Sequence, residues 1–207
     1  MASWRAGSVP GVTYLDDLGR PWPPIAGDET LTLLGSLERQ RATFAWKCSG
    51  LEEPGLRATV GASTITLGSL LKHLAFVEDS YFSWRMLGRS PGPPWEDVDW
   101  DAEPGWDWRS AADDRPEELR ALWEAAVARS RASTAEILGR GGFDQPGAGV
   151  GDDGGDVPNV RRFLVDLIEE YARHVGHADL IRESVDGSVG EDPPPNFGFA
   201  APGSRMG

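Results

Sequence analysis

The chain has 207 residues, and 40% of them are hydrophobic, which is enough for one folded core. Its 33 acidic residues outnumber the 20 basic ones and give a net charge of -13, which disfavours nucleic acid and anionic lipid surfaces as partners. No apolar run is long enough to cross a bilayer, and the first residues lack a hydrophobic signal segment. We therefore expect no membrane partner and a cytoplasmic location.

The numbers of cysteines and lysines indicate the compartment and the type of genome. Cys48 is the single cysteine, which excludes an internal disulfide and fits a reducing compartment. We expect it to be a small buried side chain at a helix end. Two lysines stand beside eighteen arginines, and with the many Gly, Ala and Pro residues this indicates a genome of high GC content.

The first half of the predicted fold contains two helices. Helix one is expected to follow the N-cap Asp28 and to reach Cys48, because apolar residues recur there at helical spacing. After a connection rich in proline and glycine, helix two is expected to begin at the cap Thr66 and to end at Gly88. The predicted inward stripe of helix two consists of Leu70, Leu74, Val77, Tyr81 and Trp84.

The second half begins with a long connection, residues 89–115. Its four tryptophans predict an ordered crossover wrapped on the bundle rather than a disordered linker. Helix three is expected from the first-turn Pro116 to about Leu138, and helix four from about Asn159 to Val185. The predicted inward stripe of helix three consists of Leu119, Trp123, Ala126, Ser130, Ser133 and Ile137.

These elements divide the chain into three parts. Residues 1–27 contain several prolines without helical periodicity and predict an irregular N-terminal arm. Residues 28–187 predict an all-α four-helix bundle with a long crossover between helices two and three. Residues 188–207 predict a flexible C-terminal tail.

Polar residues interrupt the inward stripe of helix four. At 100° per residue, Glu170, His174 and His177 fall within about 40° of the apolar Phe163. A buried carboxylate needs a partner, and the spacing Glu-x-x-x-His places an oxygen ligand and a nitrogen ligand one helical turn apart. A third ligand must come from another helix, and His73 of helix two is the only other histidine. The residues therefore favour a metal site between helices two and four.

Alternative interpretations of these residues stay open. Glu170 is equally placed to form an ion pair with Arg162 or Arg173, and both histidines of helix four would then be ordinary interfacial side chains. Ser130 and Ser133 of helix three are candidate substrate-binding residues, because they would offer hydroxyls and space opposite the metal. The alternative for them is packing of small residues between helices.

Four blocks of the sequence resemble one family. Residues 169–183 (EEYARHVGHADLIRE) resemble the last-helix signature of a mostly actinobacterial branch of the DinB-like superfamily. The blocks RATFAWKCSG at 41–50, KHLAFVE at 72–78 and SAADD at 110–114, which ends the tryptophan-rich crossover, fit the same branch. The resemblance covers about residues 28–187 and implies a DinB-like four-helix bundle.

The resemblance also implies a set of site residues. It implies one divalent metal ion held by His73, Glu170 and His174, with zinc first and nickel or iron as alternatives. His177 is implied as an acid–base residue beside the metal, or as a ligand in place of Glu170. Asp166 stands where close relatives are expected to have a histidine, and it is predicted to orient a ligand or to mark a changed substrate or a weakened site.

The function follows from the same resemblance. The superfamily includes mycothiol-dependent maleylpyruvate isomerase and bacillithiol transferases, which implies a metal-dependent enzyme with a mycothiol-like thiol as nucleophile. The expected reaction is S-transfer to a small electrophile, or its isomerisation. One alternative is a metal-dependent hydrolase of a small molecule. Another is a non-catalytic, metal-stiffened bundle whose tryptophan crossover is a binding surface, for example in a homodimer.

Overall fold

The computed structural model describes residues 15–148, 155–194 and 197. Within these ranges the chain forms no strand, and its only β-type pairings are two isolated bridges, Leu15 with Pro21 and Pro146 with Asn159. The all-α prediction is confirmed. The α-helices are α1 (Glu29–Lys47), α2 (Glu53–Leu56), α3 (Leu67–Asp79), α4 (Trp106–Arg109), α5 (Pro116–Arg140) and α6 (Val160–Asp186).

Three of the long helices, α1, α3 and α6, begin directly after a residue whose side chain caps them. The side chain of Asp28 accepts a hydrogen bond from the Leu31 amide, and Asn159 accepts one from the amide of Arg162. Thr66 and Ser69 form a reciprocal capping box at the start of α3. These caps satisfy amide groups that have no partner inside the helix, which is why the predicted starts of the helices agree with the observed ones.

The four long helices pack as two pairs around one apolar core. Helix α1 packs chiefly on α6, and α3 packs chiefly on α5. Helix α3 also contacts α6, and this third contact brings His73 towards the polar face of the last helix. None of the helices in the described ranges combines the length and hydrophobicity that a bilayer span requires.

Helix two of the prediction is two elements in the structure. After Asp79 the backbone continues as a π-helix over Ser80–Arg85, in which the Met86 amide donates to the Tyr81 carbonyl at 2.9 Å. A π-turn contains more residues than an α-turn, so it rotates every later side chain away from the α-helical stripe. Trp84 is consequently 56% exposed, and its predicted inward position is wrong.

The inner face of α5 differs from the prediction at one position. Leu119, Trp123, Ala126, Ser130 and Ile137 are buried as expected. Ser133 is only half-buried, and Thr134 is the buried residue of that turn. Thr134 follows Ser130 by four residues and donates to the Ser130 carbonyl at 2.8 Å, which matches the α-helical repeat better than a spacing of three.

A network of charged side chains lies inside the bundle. Arg41 of α1 donates from Nε and Nη2 to the two carboxylate oxygens of Glu78 on α3, at 2.8 and 2.6 Å. Its Nη1 donates to Glu38 at 2.7 Å, and Glu38 also accepts from Arg131 of α5. Tyr171 of α6 donates its hydroxyl to Glu78 at 2.6 Å. The network therefore links all four long helices, and its members other than the partly buried Arg131 are almost completely buried.

The crossover between α3 and α5 is ordered and packs on the bundle. Trp95 is 1% exposed, and its indole nitrogen donates to Asp79 at 2.9 Å. Trp100, Trp106 and Trp108 are partly buried against the same core. The prediction of an ordered crossover wrapped on the bundle is confirmed.

The described ends of the chain lie against each other and against α1. Trp46 and Arg20 both donate to the Glu191 carbonyl at 2.8 Å, and Lys47 donates to the Gly190 carbonyl at 2.6 Å. The remaining parts of the predicted arm and tail, residues 1–14, 195–196 and 198–207, lie outside the described residues.

Candidate metal centre

Three predicted site residues come together between α3 and α6. Nε2 of His73 lies 3.1 Å from Oε1 of Glu170, and Nε2 of His174 lies 3.1 Å from the same oxygen. One ligand atom from each residue falls within 4.8 Å of the others. Arg162 instead pairs with Asp166 at 2.7 Å, and no ion pair joins Glu170 to Arg173 among the described residues. The two histidines are the partners of Glu170.

The spacing of these atoms fits a first-row divalent ion. Zinc bonds to nitrogen and oxygen are about 2.0–2.1 Å long, so two tetrahedral ligand atoms are about 3.4 Å apart. The observed 3.1 Å contacts are close to this value. Two imidazoles and one carboxylate also leave a coordination position open for an exogenous ligand, as in catalytic sites. The donor set therefore fits the metal that was predicted for these residues.

The first supporting side chain is Asp107, which comes from the crossover. Its Oδ2 lies 2.6 Å from Nδ1 of His73, and Asp107 is 4% exposed. A carboxylate at Nδ1 keeps a proton on that nitrogen, so Nε2 can offer its lone pair to a cation, whereas without a cation a protonated His73 donates from Nε2 to Glu170. Sequence reasoning missed Asp107. Its only local signal is its place between two tryptophans, Trp106 and Trp108, in an otherwise exposed acidic loop.

The second supporting side chain is Trp108. Its ring stacks on His73 with a centroid distance of 4.0 Å and an interplanar angle of 22°, and its centroid lies 5.4 Å from that of His174. A flat contact on one face of an imidazole prevents rotation about its side-chain bonds. The crossover thus orients His73 through both a hydrogen bond and a stacked ring.

His177 lies behind His174 rather than beside Glu170. The two Nδ1 atoms of His174 and His177 are 3.2 Å apart, so one of them donates and the other accepts. If Nε2 of His174 offers its lone pair to a cation, its proton is on Nδ1 and is donated to His177. His177 then keeps its own proton on Nε2. In this arrangement His177 supports a ligand and presents a hydrogen-bond donor.

The charges in the cluster shift the pKa values of its members. Hydrogen bonds from His174 and His73 hold the pKa of Glu170 well below its usual range. Burial by itself would lower the pKa of His73, but the hydrogen bonds to Asp107 and Glu170 outweigh it and raise the pKa. Burial lowers the pKa of His177, and the coulombic interactions with His174 and Arg173 lower it further.

A cavity of about 630 Å³ opens beside this cluster. His174, His177 and Trp108 lie in its wall next to apolar residues from α2, from the segment before α3 and from α5. The volume is in the range of sites that bind small organic ligands. The chain's single thiol is elsewhere: Cys48 is buried, and burial raises its pKa to about 12.

The other predicted site residues lie away from this cavity. Ser130 donates to the Glu78 carbonyl at 3.5 Å on the buried side of α5, and neither Ser130 nor Ser133 lines the cavity. Asp166 pairs with Arg162 one turn before Glu170, and burial raises the pKa of its carboxyl. The structure thus brings together His73, Glu170, His174 and His177, but it does not bring the serines to them.

DinB-like proteins are α-helical bundles with this arrangement, in which one helix carries a histidine and the last helix carries a glutamate and a histidine one turn apart. The more particular assignment comes from the sequence. The model of the family described as MST, mycothiol-S-transferase, matches residues 32–187, and the chain belongs to this family within the DinB-like superfamily. Membership implies a thiol partner and a small-molecule substrate. No curated protein matches the sequence.

Proposed function

We propose that the protein transfers the sulfur of a mycothiol-like thiol to a small electrophile at a divalent metal centre. His73, Glu170 and His174 would hold the metal, with zinc as the first candidate. The convergence of their three ligand atoms within 4.8 Å carries the proposal. The family match over residues 32–187 supports the thiol. When bound, such a cation stabilises a thiolate near neutral pH and so supplies a nucleophile.

The protein's own side chains have separate tasks in this proposal. Asp107 and Trp108 hold the His73 ring in place, which spares the site from reorganising when the thiol arrives. His177 donates a hydrogen bond from Nε2 to the sulfur or to the departing group. Cys48, with a pKa of about 12, is too weakly ionised to compete as a nucleophile.

The bonds that change are few. In displacement of a halide, the sulfur forms a bond to carbon as the carbon–halogen bond breaks. The halide leaves with the electron pair of that bond, and the thiol proton passes to solvent. No oxidant or reductant is needed.

The test combines metal analysis with turnover. The zinc-loaded protein is expected to contain about one metal ion per chain and to release chloride from 1-chloro-2,4-dinitrobenzene only when mycothiol is present. His73→Ala should lose the metal and the thiol-dependent reaction together. A matched variant, Arg140→Gln, changes an exposed residue of α5 and should behave as the wild type.

Three outcomes would count against the proposal. Equal metal content in His73→Ala and wild type would end the site assignment. Turnover without thiol would favour a metal-dependent hydrolase. A metal-loaded protein that lacks any open coordination position would favour the non-catalytic interpretation.

A further inference from the structure

The cavity beside the metal cluster has one apolar wall and one charged rim. Leu56 of α2, Ile65 before α3 and Leu119 of α5 supply the apolar wall, and Trp108 closes it towards His73. Arg57, Arg109 and Arg173 lie at the rim. The cavity therefore combines hydrophobic surface with positive charge in a chain whose net charge is -13.

Most polar side chains in the wall already have partners. Thr66 and Ser69 satisfy each other in the capping box of α3. Asp114 pairs with Lys72, and Glu53 pairs with Arg57 at 2.9 Å. A ligand rich in hydroxyl groups would lose its hydrogen bonds to water here without replacing them. The sugar-like part of a thiol such as mycothiol is therefore a poor occupant of this cavity.

Arg173 differs from the other two rim arginines. Arg57 is paired with Glu53, and Arg109 donates to the Pro104 carbonyl. Arg173 has no ion-pair or hydrogen-bond partner within the described part of the chain, and it directly precedes His174. Its guanidinium is thus available to an anionic group of a ligand that reaches the metal cluster.

We infer that this cavity selects the electrophile, and that its preferred electrophile is an apolar organic acid whose hydrophobic body packs on Leu56, Ile65 and Leu119 while its carboxylate pairs with Arg173. The inference rests on the proposed function for the reaction itself, but not for binding. It assigns the two substrates to different places: the acid enters the apolar cavity, and the polar thiol approaches the cluster from outside it.

Binding of two unreactive probes to the zinc-loaded full chain tests the inference. The probes 4-phenylbutanoate and 4-phenylbutanamide have the same apolar body and differ in charge. Isothermal titration calorimetry should show about fivefold tighter binding of the acid, the effect expected for one partly exposed ion pair. Arg173→Gln should remove this preference, Arg173→Lys should keep most of it, and the control Arg140→Gln should leave it unchanged.

A second variant separates the apolar wall from the charge. Ile65→Asn should weaken both probes by a similar factor, about tenfold, because the lost contact is with the shared hydrophobic body. An acid preference that survives Arg173→Gln would assign the carboxylate to the metal and overturn the inference. Equal binding of acid and amide, or binding of neither, would overturn it as well.

The outcomes also distinguish this inference from the proposed function. If the probes bind as expected but no thiol is transferred, the proposed reaction fails and the cavity assignment stands. If thiol transfer occurs while the acid and the amide bind equally, the reaction stands and only the assignment of the electrophile fails.

Discussion

Two polar clusters lie inside the bundle, and they balance their charges in opposite ways. In the first, the carboxylates of Glu78 and Glu38 are neutralised by the permanent cations Arg41 and Arg131. In the second, Glu170 contacts two imidazoles and, within the described part of the chain, no arginine or lysine. An imidazole carries positive charge only when protonated, so the second cluster contains an acidic group without a permanent counterion.

This difference distinguishes a structural cluster from the proposed metal site. In the first cluster the chain supplies its own cations. Every carboxylate oxygen of Glu78 and Glu38 accepts a hydrogen bond, and these bonds connect the four long helices. In the second cluster the chain supplies imidazoles, which are neutral unless protonated, and we propose that a bound cation supplies the compensating charge. The net charge of -13 of the whole chain favours the binding of a cation.

The largest expected effect concerns the structural cluster. Glu78→Gln leaves the buried Arg41 without its main counterion, and the free energy of unfolding should fall by about 3–5 kcal/mol in urea denaturation. The matched control is Glu136→Gln, because Glu136 also pairs with arginine, here Arg89 and Arg140, but lies at the surface, and it should cost less than about 1 kcal/mol. Similar losses in both variants would remove the contrast between the two clusters.

The next effect concerns the proposed donor in the second cluster. His177→Ala should lower the rate of thiol transfer by about 100-fold, as for other positioned donors. The metal content should stay within about twofold of wild type, because the three ligands remain. Loss of the metal in this variant would instead make His177 a ligand, as the sequence alternative proposed.

A smaller effect is expected from the crossover carboxylate. Asp107→Asn keeps the shape of the side chain but removes the charge that faces Nδ1 of His73, and metal affinity should fall by about 10–100-fold in competition with a chelator. Asp101→Asn, at an exposed position of the same crossover, should bind as tightly as the wild type. An unchanged affinity in Asp107→Asn would show that His73 needs no support from the crossover.

The smallest effect is a pH dependence of stability. Burial alone would raise the pKa of Glu38, but Arg41 and Arg131 outweigh it and lower the pKa. A lowered pKa means that the unfolded chain binds more protons, so this contribution is present above the unfolded pKa and is lost as pH falls through the folded pKa.

Acid titration of stability checks this sign. Between about pH 5 and pH 3, Glu38→Gln should flatten the fall in unfolding free energy by up to about 1.4 kcal/mol per pH unit. The exposed Glu183→Gln serves as the control, and its slope should match the wild type. An identical slope in both variants would contradict the role of Glu38.

The sequence predicts the frame of the molecule well because capping and periodicity are local. Asp28, Thr66 and Asn159 mark helix starts within their own turn of chain, and the structure agrees at all three. The π-helix was missed because nothing in its local sequence distinguishes it from a continued α-helix. Its effect was limited to the last turn, where Trp84 faces solvent.

The clusters were predictable to different degrees. The chain has only three histidines, so their grouping with Glu170 could be proposed from the inward stripe of helix four together with the histidine count. Asp107 could not, because its pairing with His73 depends on the path of a long crossover. Glu38 and Arg41 look like an ordinary surface pair three residues apart, and only the tertiary contact with Glu78 and Tyr171 reveals that they are buried.

The contacts of residues 190–192 determine where the C-terminus of a truncated protein should be placed. The family match ends at residue 187, yet the indole nitrogen of the buried Trp46 finds its acceptor at Glu191, and Arg20 pairs with Asp192. A chain cut at the edge of the match would strip an acceptor from the Trp46 indole, a loss worth about 1–3 kcal/mol. Fragments for crystallisation or fusion should therefore extend at least to residue 194.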